Sequence, residues 1–143
     1  MTSYFVDTNV FLRHLLNDDP TLSSAAREII LAIEQGHLTA WTSDLVIAEL
    51  VFVLSSKQLY SHTAEAIAAQ LLPLIRLPNL KLMHKQVYDR AFELYIDRRI
   101  DFIDAYNAAL MEQRGELHIF SFDTDFDQVI GIGRHESLPH VQT

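Results

Sequence analysis

The segment Leu45-Val46-Ile47-Ala48-Glu49-Leu50-Val51-Phe52-Val53-Leu54 is apolar at every position but one. It falls short of the roughly 18 apolar residues that a membrane span needs. The rest of the chain must therefore cover it. The polar triplet Thr42-Ser43-Asp44 just ahead supplies N-cap chemistry, so the segment reads as a helix expected to be buried on all sides. A carboxylate inside such a helix loses hydration, which costs several kcal/mol or raises its pKa unless a cation or a donor compensates. The ordinary answer to Glu49 is an ion pair, with Arg13 or Arg76 as partner. The functional answer is a metal ion.

Around this segment, β-prone runs alternate with helical ones. Ser3 to Val6 is a short strand ending at Asp7, and Val10 to Leu16 a short helix. Asp19-Pro20 opens a helix with Asp as cap and Pro at the first turn. Its apolar stripe is Leu22, Ala25, Ala26, Ile29 and Ile33, and it closes at Gly36. Leu38 to Trp41 is a second strand. A helix from Thr63 buries Ala64, Ile67, Ala68, Leu71 and Leu72 and is ended by Pro73 and Pro78. Leu80 to Met83 is a strand, and Val87, Ala91, Leu94 and Tyr95 mark a helix running to Arg98. Phe102 to Arg114 is the next helix, with Gly115 just past its end, and Leu117 to Phe122 is a strand running into Asp123. Such alternation predicts an α/β fold whose parallel sheet is covered on both faces. Ligands then bind beyond the carboxyl ends of the strands, and Asp7 and Asp123, each following a strand, are expected on one rim. With 143 residues and no repeat or linker, one domain spanning residues 1–143 is expected.

Composition narrows the function. The absence of cysteine excludes disulfides, thiolate zinc sites and a cysteine nucleophile. The seven histidines (14, 37, 62, 84, 118, 135 and 140) include no pair at i,i+4. No zinc site is read from them, and His118 reads as packing in a strand. Neither a serine-hydrolase elbow nor a phosphate-binding glycine loop is present. The N-terminus has no basic segment followed by an apolar one, so a soluble cytoplasmic protein without membrane association is expected. Net charge is −8, from 11 Lys and Arg against 19 Asp and Glu. That balance opposes nucleic-acid binding unless the acids gather around a divalent metal or a partner supplies basic surface.

Singly, most acids have ordinary roles. Asp7 ahead of Thr8-Asn9 can cap a helix, Asp101 and Asp104 have the spacing of a capping box, and Asp123 can close a turn. Asp125 and Asp127 follow in the same polar segment with no role assigned. One cause accounts for Asp7, Glu49, Asp104 and Asp123 together: convergence on one hard cation, of the kind that handles phosphates.

The order of these motifs resembles that of the PIN-domain nucleases, in particular the VapC-like toxin ribonucleases. Phe5-Val6-Asp7-Thr8-Asn9 through Asp18-Asp19-Pro20 is similar to that family's first strand and helix. The Glu49 helix is similar to its second acidic motif, Asp101-Phe102-Ile103-Asp104-Ala105 to its third and Phe120-Ser121-Phe122-Asp123-Thr124-Asp125-Phe126 to its fourth. The resemblance implies a three-layer α/β/α sandwich with a central, mainly parallel sheet, and RNA cleavage dependent on Mg²⁺ or Mn²⁺. It implies Asp7, Glu49, Asp104 and Asp123 as catalytic and metal-binding acids, Thr8 and Asn9 orienting Asp7, and Ser121 as polar support. Asp101 stands beside Asp104 as a candidate third acid, Asp104 being preferred because it opens the Asp-Ala helix. Arg13, Arg98, Arg99 and Arg134 are candidate phosphate contacts. A homodimer and an antitoxin partner are further implications. Two other readings carry less: a haloacid-dehalogenase-type phosphatase on Asp123-Thr124-Asp125, which has Asp127 where that motif wants Thr or Val, and a PIN-like scaffold that binds a protein and cleaves little.

Overall fold

Short β-prone runs become strands and runs with an apolar period near 3.6 become helices in the computed structural model, which describes residues 2–139. His140 lies outside the described residues. The chain divides into two compact units, one ending at Gln86 and one beginning at Val87.

The first unit holds β1 (Ser3–Phe5), α1 (Thr8–Leu16), α2 (Pro20–Glu34), β2 (Thr39–Trp41), α3 (Asp44–Ser55), α4 (Ala64–Ile75) and β3 (Leu80–Lys81). Its strands pair in the order β1-β2-β3, all parallel, with Phe5 opposite Trp41 and Trp41 opposite Lys81. Asp19 caps α2 by accepting from the Thr21 and Leu22 amides, and Ser43 caps α3 through Val46. Val46, Ile47, Leu50, Val51 and Leu54 of α3 are buried, as are Phe11, Ile33, Ile67, Leu71 and Leu80 of the same unit. Fully burying each such side chain contributes about 1.5–3 kcal/mol.

The expectation that α3 is buried on every side is overturned. Leu45 is 81% and Phe52 74% exposed, and Glu49 between them is exposed as well. Positions i, i+4 and i+7 share one helical stripe; α3 packs against α1 and α4 with its opposite side. Apolar composition measured what the helix can bury, not how many of its sides meet a neighbour. Likewise α2 buries Ser23, Ala26, Ile30 and Ile33, while Leu22 and Ile29 face outward. Pro73 does not end α4 but sits in its last turn, where Leu74 and Ile75 are buried. A proline this near the end removes one ladder bond without breaking the rest.

The second unit holds α5 (Tyr88–Asp97), α6 (Phe102–Arg114), β4 (His118–Phe120), a short 3-10 helix (Thr124–Gln128) and β5 (Gly133–His135). β4 and β5 pair in parallel. α5 and α6 are joined by aromatic contacts: Phe92 lies 5.0 Å from Phe102 and Tyr88 5.6 Å from Tyr106, centroid to centroid. Leu94, Ile100, Ala105, Ala108, Phe126 and Val129 close a core that ties the 3-10 helix to α6. β5 was not expected, since Gly133-Arg134-His135 carries no apolar alternation. Every strand pairing among the described residues is parallel, so the fold is α/β, as the alternation indicated. No helix among them is long and apolar enough to cross a membrane.

Candidate functional site

In the first unit, parallel strand β1 delivers the chain to Val6, which is buried, and then to Asp7 at the mouth of α1. The Thr42 hydroxyl donates to the Val6 carbonyl at 2.8 Å and pins that exit. Asp7 is exposed and caps α1, its Oδ1 accepting from the Thr8 amide at 2.8 Å. Thr8 is buried, and its hydroxyl donates to Glu49 Oε2 at 3.0 Å across to α3. One residue thus holds both acids, Asp7 through its backbone and Glu49 through its side chain. Arg13, one of the two partners the sequence suggested for Glu49, pairs with Asp18 at 2.9 Å instead, and Glu49 lies on the open stripe of α3. Asn9 is exposed, on the wall of a cavity of about 290 Å³ that α1 and α2 line with Val10, Arg13 and Leu22.

In the second unit, Asp104 lies in the first turn of α6, whose Phe102, Ala105, Ala108 and Ala109 are buried. Asp101, at the N-cap of α6, makes no capping bond with its side chain, so the capping-box explanation for Asp101 and Asp104 does not hold. Beyond β4, the Ser121 hydroxyl accepts from the Asp123 amide at 3.0 Å, and Asp123 Oδ1 accepts from the Asp125 amide at 2.9 Å. These bonds shape the turn into the 3-10 helix, and buried Phe126 anchors it.

The result is a cluster. One carboxylate oxygen each from Asp104, Asp123 and Asp125 lies within 4.8 Å of the others. Burial, a hydrogen bond with Asp123, and the charges of Asp123, Asp101 and Asp125 push the Asp104 carboxyl up to about 6. Like charges at this range are relieved by a proton or by a cation. Three convergent carboxylate oxygens are the donor set of a hard divalent ion, so the residues present fit Mg²⁺ or Mn²⁺. Asp125, which the sequence left without a role, belongs to this group; its signal was the Asp-x-Asp spacing from Asp123.

The arginines divide. Arg134 does not present itself to a phosphate. It donates to both oxygens of Asp127 (3.0 and 3.2 Å), to Glu136 (2.6 Å) and to the Ser121 carbonyl (3.1 Å). Those acids hold its pKa above the ordinary arginine value, and Asp127 finds its role as the partner of Arg134. Arg98 and Arg99 are exposed between α5 and α6, with Arg99 in the left-handed backbone region at φ 54°.

A search of curated proteins gives no match for this sequence. Among solved structures, the chain is similar to VapC20 of Mycobacterium tuberculosis, titled a sarcin-ricin loop cleaving toxin. Identity is 20%, the match covers 88% of this chain and 93% of that one, and the TM-score is 0.38. Family assignment rests on the sequence profile of the PIN domain, which matches residues 4–132. That span runs from β1 to the threshold of β5 and takes in Asp7, Glu49, Asp104, Asp123 and Asp125: the chain belongs to the PIN domain family.

Proposed function

We propose that this protein is an endoribonuclease dependent on Mg²⁺ or Mn²⁺ that hydrolyses RNA phosphodiester bonds, and that it is the toxin of a toxin–antitoxin pair. The observation that carries the reading is the gathering of Asp104, Asp123 and Asp125 within 4.8 Å in a PIN-domain chain. The proposal assigns Asp7, Glu49, Asp104 and Asp123 as the catalytic acids, with Asp125 as a further ligand.

Asp104, Asp123 and Asp125 would hold the ion. When bound there it supplies positive charge against the phosphate and lowers the pKa of a water. The chain's own groups do the rest. Asp104, whose carboxyl is pushed up to about 6 by burial and its acidic neighbours, would be returned to an ionised ligand by the charge of the ion. Ser121 and the Asp125 amide hold the Asp123 turn so that its carboxylate keeps one position. Thr8 does the same for Asp7 and Glu49. Holding acids fixed before substrate arrives removes reorganisation from the barrier. A net charge of −8 is compatible with an RNA substrate where the acids are concentrated at the metal, and Arg98 and Arg99 are the proposed phosphate contacts.

The test is cleavage of structured RNAs with Mg²⁺ or Mn²⁺, compared with chelator and with Asp7→Asn and Asp104→Asn. Metal-dependent cleavage lost in both variants, with the fold retained by circular dichroism, supports the proposal. Full activity in purified Asp7→Asn removes Asp7, and no cleavage by the parent protein removes the enzyme and leaves a protein-binding scaffold. The proposed toxin role, homodimer and antitoxin are tested by growth arrest on expression, its rescue by a neighbouring gene product, and light scattering.

A further inference from the structure

The two parallel strands of the second unit bring together residues that are 17 positions apart in the sequence. His118 Nδ1 on β4 lies 3.0 Å from His135 Nε2 on β5, with ring centroids 5.2 Å apart. His118 is exposed rather than packed, contrary to the sequence reading. The residue between them is Gly133. A Cβ built there would lie 3.0 Å from His118 Nδ1 and 3.6 Å from His135 Nε2. Glycine therefore leaves open the space onto which both nitrogens face. A cavity of about 290 Å³, lined by His118, Ile119, Phe120, His135 and Pro139, adjoins the pair and has room for water.

We infer that His118 and His135 form a binding site for a borderline transition-metal ion such as Zn²⁺ or Ni²⁺, separate from the carboxylate cluster. Metal–imidazole bonds of about 2.0–2.1 Å separate two nitrogens by about 2.8–3.0 Å at a right angle and by about 3.3–3.4 Å at the tetrahedral angle; the observed 3.0 Å matches the first and is about 0.3 Å short of the second. Imidazole suits Zn²⁺ and Ni²⁺, whereas carboxylates suit Mg²⁺ and Mn²⁺, so the two sites sort ions by donor chemistry. Binding needs no change in total protonation. The single proton shared along the Nδ1···Nε2 contact leaves it, each neutral ring carries its one proton on the far nitrogen, and the ion takes the vacated lone pairs. Waters from the cavity complete the coordination. Such an ion staples β4 to β5, the strands that flank the Asp123 turn.

The test uses the untagged full chain. Calorimetric titration with Zn²⁺, in buffer containing millimolar Mg²⁺ to occupy carboxylate sites, is expected to give one site per chain. His118→Gln and His135→Gln are each expected to weaken it about tenfold or more, whereas Asp104→Asn leaves it unchanged. Two-dimensional ¹⁵N correlation of the imidazoles reads the same event without a variant: Zn²⁺ should shift His118 Nδ1 and His135 Nε2 and leave His37 unmoved. Zn²⁺ uptake that survives both histidine variants, or is lost in Asp104→Asn, places the ion elsewhere and overturns the inference. Unmoved His118 Nδ1 and His135 Nε2 resonances overturn it too. None of these outcomes depends on RNA cleavage.

Discussion

Carboxylates are accommodated in opposite ways in the two units. In the first, Asp7 accepts from the Thr8 amide and Glu49 from the Thr8 hydroxyl; each acid has a protein donor of its own, and both are exposed to water. In the second, Asp104 faces Asp123 and Asp125, and the neighbours that press on it are themselves acids. An acid with a donor and water is content without a metal. A half-buried carboxyl pressed by three acids, as Asp104 is, is not, and a proton or a divalent ion relieves it. The crowding of carboxylates therefore lies in the Asp104 cluster, whereas the sequence alone pointed first to Glu49.

The sharpest way to break this comparison is Asp104→Asn. It removes one charge from the crowded cluster, so RNA cleavage is expected to fall by about a hundredfold or more, while the melting temperature in chelator holds or rises as repulsion is relieved. A fall in melting temperature with cleavage intact would mean that the cluster is structural. Thr8→Val makes the corresponding change in the first unit. Losing the hydroxyl that holds Glu49 is expected to lower kcat/KM by about 10- to 100-fold and stability by about 1 kcal/mol, read from steady-state kinetics and urea melts. An unchanged kcat/KM would show that Glu49 needs no positioning.

A pH series sharpens the difference further. The Asp104 carboxyl has an ordinary value of 3.8 and is raised to about 6 in the folded protein. Between those values the native state binds the extra proton. The stability that Asp104 contributes is thus present below about 3.8 and is lost as pH rises through about 6. Melting temperatures in chelator should show this loss in the parent protein relative to Asp104→Asn, and Mn²⁺ should abolish it. Identical pH profiles for the two proteins would refute the crowding. The smallest effect is expected from Arg134→Gln. It releases Asp127, Glu136 and the Ser121 carbonyl, all at or beside the Asp123 turn. A melting temperature lower by a few degrees is expected, with cleavage reduced less than about tenfold, because half-exposed ion pairs contribute modestly.

Much of the fold was legible because local rules coincided with the outcome. Asp19-Pro20 starts α2, Gly115 in the left-handed region stops α6, and the alternation of strands with helices gives parallel pairing. Misreadings arose where an element's neighbours, not its own residues, decide. α3 is apolar around its circumference yet shows Leu45 and Phe52 to water, and β5 is a strand because β4 offers it a ladder. The site divides in the same way. Asp104 and Asp123 stand out by motif, whereas the adhesion of Asp125 to them and the capture of Arg134 by Asp127 and Glu136 depend on a turn whose geometry no spacing states.

From residue order alone come the α/β class and helix caps such as Asp19 and Ser43, because each is fixed by interactions within a few positions along the chain. Which carboxylates crowd, which have donors, and that His118 meets His135 were decided by tertiary structure. Those outcomes turn on distances of about 3–5 Å between side chains remote in sequence, and at that range charge, proton and metal compete for the same lone pairs.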